Sequence, residues 1–277
     1  MCRKSALAAT ALALCLVPLA AQARDKHKDA PPATAPADPA APRPRMKADP
    51  AARVMARRSP PLAAAAFWAR EADIDPADSE AAVGLSQALR AMGNFDDAGA
   101  AVGKLLTVKP DDFDGLLELA RIQIARNQGF YAIEPARRAE ALAPRDWRPV
   151  TLLAVAYEQA QRDDEALAAH RQARALAPDN PTVLSNYAMF CAAHGDAAQA
   201  ESLLRTAVTR PDATIQVRQN LALVLGLQGR LAEAEKIARQ DLPPELVANN
   251  MAYLRAANGA ALPAGPSRNW DALRATP

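Results

Sequence analysis

Residues 76–109 read PADSEAAVGLSQALRAMGNFDDAGAAVGKLLTVK, and the pattern of this stretch returns every 34 residues along much of the chain. Proline keeps this step at Pro76, Pro110, Pro144 and Pro178, while Pro211 misses it by one residue. The same step separates Ala98, Ala132, Ala166, Ala200 and Ala234. A third phase carries large side chains, at Leu85, Leu119, Leu153, Tyr187 and Leu221. Because three residue types share one period, a high alanine content does not explain the repeat.

A period of 34 residues is typical of tetratricopeptide repeats, in which two helices form one unit and successive units stack into a superhelix. Large apolar residues on the first helix would fill the space inside a unit, and small residues would let neighbouring helices approach closely. Proline after the second helix would end it, because proline lacks an amide hydrogen. The sequence therefore predicts an all-α tetratricopeptide repeat superhelix, a solenoid of helix-turn-helix units.

The repeat phase predicts five full units over residues 77–243. Their first helices are expected at 79–92, 113–126, 147–160, 181–194 and 214–228. Their second helices are expected at 96–108, 130–142, 164–176, 197–210 and 231–241. Residues 50–76 are expected to form a degenerate leading repeat, with helices at 50–58 and 61–75, and residues 244–257 a capping helix. Pro135 lies well inside a predicted second helix, which should start late or kink there.

The N-terminal segment has the form of a secretory signal peptide. Residues 1–23 begin with Arg3 and Lys4, continue with an apolar stretch and end in Ala-Gln-Ala. Lipid attachment at Cys15 would require a small residue before it, and Leu14 is large, so cleavage after Ala23 is favoured. The expected location is the periplasm, with outer-membrane association as a further option and an uncleaved anchor as the alternative. No later segment resembles a transmembrane span.

Two segments flank the repeats without any helical periodicity. Residues 24–49 are rich in proline, alanine and charge, and we expect a disordered linker. Its end is basic and is either solvated or bound to an acidic partner, through Arg43, Arg45, Lys47, Arg53, Arg57 and Arg58. Residues 258–277 are expected to form a flexible tail. Within that tail, Trp270 and Leu273 form a short docking motif or fold back on the last helix.

The composition argues against several classes of function. The chain has 33 Lys and Arg against 31 Asp and Glu, and loss of residues 1–23 would balance these charges, so nucleic acid is not an expected partner. No phosphate-binding or dinucleotide-binding glycine loop occurs. The three histidines lack ligand spacing, and we expect no metal, no cofactor and no enzyme activity. His170 should be partly exposed, His194 exposed in a turn, and Cys191 a small buried apolar residue.

A binding groove follows from the repeat phase, because first helices line the concave face of such a superhelix. The side chains expected there have mixed polarity, which suits an amphipathic helix or an extended peptide, although apolar members would alternatively fill the interior. The predicted groove residues are Val83, Gln87, Arg90, Leu117, Arg121, Ile124, Thr151, Val155, Glu158, Ser185, Met189, Ala192, Gln219, Leu223 and Gly226. Asn186 and Asn220 are expected to form hydrogen bonds between repeats, since no lysines accompany them to hold a peptide carboxylate.

The C-terminal part carries a more specific resemblance. The stretches VRQNLALVLGLQGR (217–230), AEAE (232–235), DLP (241–243) and NNMAYL (249–254) resemble the tetratricopeptide proteins of tight-adherence (Flp) pilus assembly. This resemblance implies a non-enzymatic envelope adaptor that binds other envelope proteins, such as the secretin or pilus components. Members of that family are often lipoproteins. A generic periplasmic adaptor in cell-wall or outer-membrane biogenesis is the alternative, and an enzyme subunit is a more remote one.

Overall fold

The computed structural model describes residues 46–259 as thirteen α-helices, and no strand occurs among those residues. Each helix lies within three residues of its predicted bounds. The predicted signal peptide of residues 1–23, residues 24–45 of the predicted linker, and Trp270 and Leu273 of the predicted tail lie outside the described residues. The helices are α1 (Pro50–Arg57), α2 (Pro61–Ile74), α3 (Ser79–Ala91), α4 (Phe95–Val108), α5 (Phe113–Ala125), α6 (Gly129–Leu142), α7 (Trp147–Gln159), α8 (Asp163–Leu176), α9 (Pro181–Ala193), α10 (Ala197–Val208), α11 (Ile215–Leu227), α12 (Leu231–Ala238) and α13 (Pro244–Gly259).

Helices α3 to α12 form five consecutive hairpins that stack into a solenoid. Within each hairpin the two helices pack together, and each second helix also contacts the first helix of the next unit. First helices contact one another along the series α3, α5, α7, α9 and α11, whereas second helices make no comparable contact with each other in the described part of the chain. The first helices are therefore the more closely spaced row, which places them on the inner side of the stack.

Repeated polar residues begin and end the helices. The first helices start after side-chain caps at one phase of the repeat, where each oxygen accepts a backbone amide that the helix leaves unpaired. These caps are Asp78, Asp112, Asp146, Asn180 and Thr214. The turn inside each hairpin needs a left-handed residue, and glycine fills it in three units at Gly93, Gly195 and Gly229. Asn127 and Gln161 take the same conformation in the other two units, with φ of 57° each.

Pro135 does not delay or end its helix. Helix α6 runs from Gly129 to Leu142 with Pro135 buried inside it, so the expectation of a late start is wrong. The proline removes one backbone hydrogen bond, whose acceptor would be the carbonyl of Tyr131. The neighbouring Ala132 and Ala136 are fully buried, and α6 packs along both α5 and α7. This tertiary packing outweighs the missing bond.

The last helix closes the apolar end of the stack. Helix α13 packs against α11 and α12, in the place that a further first helix would take. Its residues Val247, Met251 and Leu254 are buried. The side chain of Leu254 lies directly against Gly226, and Asn258 Nδ2 donates to the Gly226 carbonyl at 2.8 Å. Gly226 is therefore covered by the chain itself and offers no groove surface, contrary to the sequence-based expectation.

An ionic cluster holds the leading repeat at the other end. Arg53 Nη2 lies 2.8 Å from Glu71 Oε2 and 2.8 Å from Asp78 Oδ2, and its Nη1 lies 3.0 Å from Glu80 Oε2. Glu71 is fully buried and also accepts the Ala48 amide at 2.9 Å. This cluster joins α1 to α2 and α3, so residues 46–49 of the expected linker are anchored.

The basic segment before the repeats thus contacts acidic groups of its own chain. Lys47 Nζ lies 2.6 Å from Asp75 Oδ2, and Arg57 pairs with Glu80. These contacts within the chain account for the basic charge of Lys47, Arg53 and Arg57, so neither solvation alone nor an acidic partner is needed to explain it. Arg53 also lies over the ring of Trp68, 5.9 Å from its centroid, which adds a cation–π contact to the cluster.

We expect the contact of α1 with the repeats to weaken in acid. Burial opposes the charged form of Glu71, but hydrogen bonds from the Ala48 amide and Arg53 outweigh it and lower the pKa below the ordinary value of 4.5. The pKa of Asp78 is also lowered, because Arg53 and the Ala81 amide overcome burial. A lowered carboxyl pKa stabilises the fold above the ordinary pKa, and this stabilisation is lost as the pH falls through the lowered value.

Hydrogen exchange of α1 amides between about pH 5 and pH 2 would measure this loss. In the variant Arg53→Met the protection of α1 should be weak already at pH 5 and change little with further acidification. Equal protection of α1 in the variant and the parent chain at pH 5 would contradict the assignment of the cluster.

A second prediction concerns the close contact of α3 with Trp68. A Cβ atom on Gly84 would lie 2.8 Å from the buried indole ring, which is rigid and cannot move aside easily. Gly84→Ala should therefore lower the free energy of unfolding by about 1–3 kcal/mol. The matched variant Gly99→Ala, in α4, meets nothing within 4 Å and should stabilise by up to about 1 kcal/mol through helix propensity. Urea unfolding of both variants measures the difference in their free energies of unfolding. Equal values for the two variants would contradict the importance of the Gly84–Trp68 contact.

Candidate functional site

An open cavity of about 780 Å³ lies on the inner side of the first helices. Val83 and Gln87 line it from α3, Asp114 and Arg121 from α5, and Arg148 from α7. Residues of α1 and α2, including Trp68, complete the lining. The lining combines apolar, amide and charged groups, so the recess has mixed chemistry.

Two arginines on this face share one buried carboxylate. Arg90 Nε lies 2.7 Å from Glu118 Oε1, and Arg121 Nη1 lies 3.5 Å from Glu118 Oε2. The carboxylate is fully buried, while each arginine side chain remains about 31% exposed. One negative charge thus orients two guanidinium groups, which leaves donors directed toward solvent at the inner face.

Glu118 was missing from the sequence-based prediction. It belongs to the phase of Gly84, Leu152, Asn186 and Asn220, where the other units carry small, apolar or amide residues. A charged residue at a phase that is otherwise uncharged, with arginine three residues later, was the available signal. At this phase the sequence-based prediction addressed only Asn186 and Asn220, as residues that form hydrogen bonds between repeats.

The predicted groove residues divide into buried and partly exposed members. Four residues of one phase are buried. Leu117, Thr151 and Ser185 have almost no surface to offer a partner, which corrects their prediction, whereas Val83, although only 9% exposed, lines the recess. This phase lies where neighbouring first helices touch; for example, Asn220 Nδ2 donates to Ser185 Oγ at 2.9 Å. That bond also confirms the inter-repeat role expected of Asn220. The partly exposed or exposed members are Gln87, Arg90, Arg121, Ile124, Val155, Glu158, Met189, Ala192, Gln219 and Leu223.

Besides Arg90 and Arg121, which contact Glu118, two further members make polar contacts within the chain. Glu158 Oε1 lies 2.6 Å from His170 Nε2, and His170 is buried against the rings of Tyr187 and Phe190. The expectation that His170 is partly exposed is therefore wrong, because this ring fills the space between α8 and α9. Gln219 Nε2 donates to Asp241 Oδ2 at 3.3 Å.

The remaining titratable candidates have structural surroundings. Cys191 is buried, and burial raises its pKa to about 11, so the thiol is not a nucleophile near neutral pH and its packing role is confirmed. His194 is exposed, as expected for its turn. Burial opposes its charged form, yet the Phe190 carbonyl and Asp163 raise its pKa. Across residues 46–259 no group of three or more His, Cys, Asp or Glu side chains is arranged to hold a metal ion.

No helix within the described range has both the length and the apolar character needed to cross a membrane.

Comparison with known proteins supports the fold. No family model matches the chain, and no curated protein matches it. TTC0263, a thermophilic TPR protein of Thermus thermophilus, is 24% identical with a TM-score of 0.56, over 64% of this chain and 97% of that one. A tetratricopeptide repeat protein from Parabacteroides merdae is 13% identical with a TM-score of 0.61, over 75% and 86% of the two chains.

A third solved structure, the APC/C hetero-tetramer Cut9–Hcn1, matches at 15% identity with a TM-score of 0.59. The match covers 70% of this chain and 39% of that one. At such identities the likeness shows the fold alone. The chain is an all-α solenoid of the tetratricopeptide type.

The shared carboxylate provides a prediction for this site. Glu118→Ala leaves Arg90 and Arg121 without their common acceptor and should lower the free energy of unfolding by about 2 kcal/mol, less than for a fully buried pair because both arginines reach solvent. Glu118→Gln keeps an acceptor oxygen and should cost about half as much. Glu134→Ala, at an exposed glutamate of α6, serves as the control and should change stability by under about 0.5 kcal/mol. Urea unfolding measures these changes. A free energy of unfolding for Glu118→Ala equal to that of the control would contradict the proposed contact.

Proposed function

We propose that the protein is a non-enzymatic adaptor that binds a segment of another protein along the inner face of its first helices. The observation that carries this proposal is the recess between α3, α5 and α7, lined by Gln87 and the exposed parts of Arg121 and Arg148. Rigid stacked hairpins hold these side chains at fixed spacing, which lowers the entropy cost of binding. The mixed lining suits an amphipathic helix or an extended peptide.

We further propose that this adaptor acts in the bacterial envelope, in assembly of the tight-adherence (Flp) pilus or its secretion apparatus. The support is the resemblance of residues 217–230 and 249–254 to the pilus assembly family, together with the signal-peptide form of residues 1–23. The expected partners are other envelope proteins, such as the secretin or pilus components. A generic periplasmic adaptor of cell-wall or outer-membrane biogenesis is the second candidate.

Site-specific photocrosslinking in the native host tests the groove. A photoreactive residue in place of Gln87 should capture a discrete envelope protein, because this side chain is exposed inside the recess. The same residue in place of Lys104, which is exposed on the second helix α4, is the matched control and should not capture that protein. Equal capture from both positions would place the binding surface outside the groove.

Deletion of the gene in the same host separates the two candidate pathways. The deletion should abolish pili without slowing growth, and the complete chain should restore them. A chain that lacks residues 1–23 should fail to restore pili if export is required. Normal piliation in the deletion strain would contradict the pilus assignment, whereas a growth or envelope defect without loss of pili would favour the second candidate.

A further inference from the structure

An exposed pair of aromatic side chains lies at the start of α6. Phe130 is 70% exposed and Tyr131 is 64% exposed, and their ring centroids are 5.6 Å apart. All five phenylalanines of the chain fall within residues 46–259, and each of the other four is buried or half-buried. In a chain with 4% aromatic residues, two adjacent exposed rings form an unusual concentration of apolar surface.

The fold does not require aromatic residues at these two positions. The equivalent pairs in the other units are Asp96–Asp97, Asp164–Glu165, Ala198–Gln199 and Ala232–Glu233. Acidic or small residues are the expected choice at the first turn of a helix, where the helix dipole favours negative charge. Neither ring contributes to the hydrophobic core, so the second unit departs from the repeat pattern without a packing reason.

The neighbouring hairpin turns place acidic groups on both sides of the rings. On one side Arg126, which precedes the α5–α6 turn, pairs with Asp96 at 2.9 Å and so joins this turn to the first unit. On the other side Gly129 lies against the Ala156 carbonyl and the side chain of Gln159, which join it to the third unit. The α3–α4 and α7–α8 turns therefore flank Phe130 and Tyr131.

We call this surface the aromatic edge and define it by Phe130, Tyr131, Asp96, Asp97, Asp163 and Asp164. The side chains of Asp96 and Asp163 are 89% and 62% exposed. Three nearby basic side chains already contact acidic groups, since Arg126 pairs with Asp96, Arg162 with Glu165, and His194 Nε2 lies 3.3 Å from Asp163 Oδ2. Among the described residues no ion pair engages Asp97 or Asp164. The edge therefore carries surplus negative charge around an apolar centre.

We propose that the aromatic edge binds a cationic segment of a partner protein, in which lysine or arginine side chains flank an apolar anchor. The anchor would pack on the exposed rings, and the cations would face the aspartates and the ring faces. The surplus negative charge disfavours an anionic lipid surface as the occupant. The edge is built on second helices and their turns, so it is separate from the groove and permits two partners to be held at once.

Isothermal titration with defined peptides tests this surface on the full chain. The probe is a 15-residue peptide of lysine and leucine at helical spacing, and its glutamate–leucine counterpart is the charge control. The lysine peptide should bind and the glutamate peptide should not. The double variant Phe130→Ala/Tyr131→Ala should weaken binding about tenfold, as expected for central aromatic contacts. Far-UV circular dichroism should show unchanged helix content, because both side chains are exposed.

Matched variants distinguish binding at the aromatic edge from non-specific apolar or electrostatic binding. Ile215→Ala/Leu246→Ala removes two exposed apolar side chains elsewhere and should leave binding within twofold. Asp97→Asn/Asp164→Asn should weaken binding at least threefold and reduce its salt dependence, whereas Asp73→Asn/Asp212→Asn, at exposed aspartates outside the edge, should do neither.

Three results would overturn the proposal. The first is equal binding of the glutamate peptide, or an aromatic double variant that binds within twofold of the parent chain. The second is binding to phosphatidylglycerol vesicles that the aromatic variant loses, which would assign the edge to a lipid surface. The third is a dimer of the parent chain that dissociates in the aromatic variant, which would assign the edge to a second copy. None of these results depends on the outcome at the groove.

Discussion

Close approach between neighbouring helices is the constraint on which the rest of the structure depends. The alanines at one phase of the second helices, from Ala98 to Ala234, are all fully buried. Where α3 meets α4 in the first hairpin, Ser86 is also fully buried, and its hydroxyl donates to the Ala98 carbonyl at 3.0 Å. Side chains larger than these would separate the backbones and remove the dispersion contacts of the whole interface. The alanines at this phase recur because the stacking geometry requires a small residue there.

A repeated scaffold must also terminate, and its two ends do so by different physical means. Helix α13 covers the last unit with an apolar face, in which Leu254 fits against the bare backbone of Gly226. The leading end instead relies on Arg53, which bridges acidic groups from α2 and α3. An apolar cap is nearly independent of pH, whereas an ionic cap depends on charged carboxylates. The two ends of the solenoid therefore have different sensitivities to their surroundings.

Periodicity predicted the helices well because their limits are local in origin. Caps such as Asp112 and turn residues such as Gly195 act over a few positions, so their spacing shows where each helix starts and stops. Pro135 and His170 were misjudged because tertiary packing decided their surroundings. The groove was predicted only in part. Phase alone does not distinguish a side chain that faces the inner surface from one, such as Leu117, that is clamped between neighbouring helices.

Positions that break the repeat carry more functional information than positions that keep it. A residue that recurs at each phase is explained by the geometry shared by all units, and it would be present whatever the protein binds. Glu118 and the pair Phe130–Tyr131 have no such explanation, since their counterparts in the other units are of another chemical type. Each places charge or exposed apolar area where stacking does not need it. In a solenoid of similar hairpins, these residues make the surface of one unit differ from that of the next. A partner that binds in a single register must contact residues of this kind.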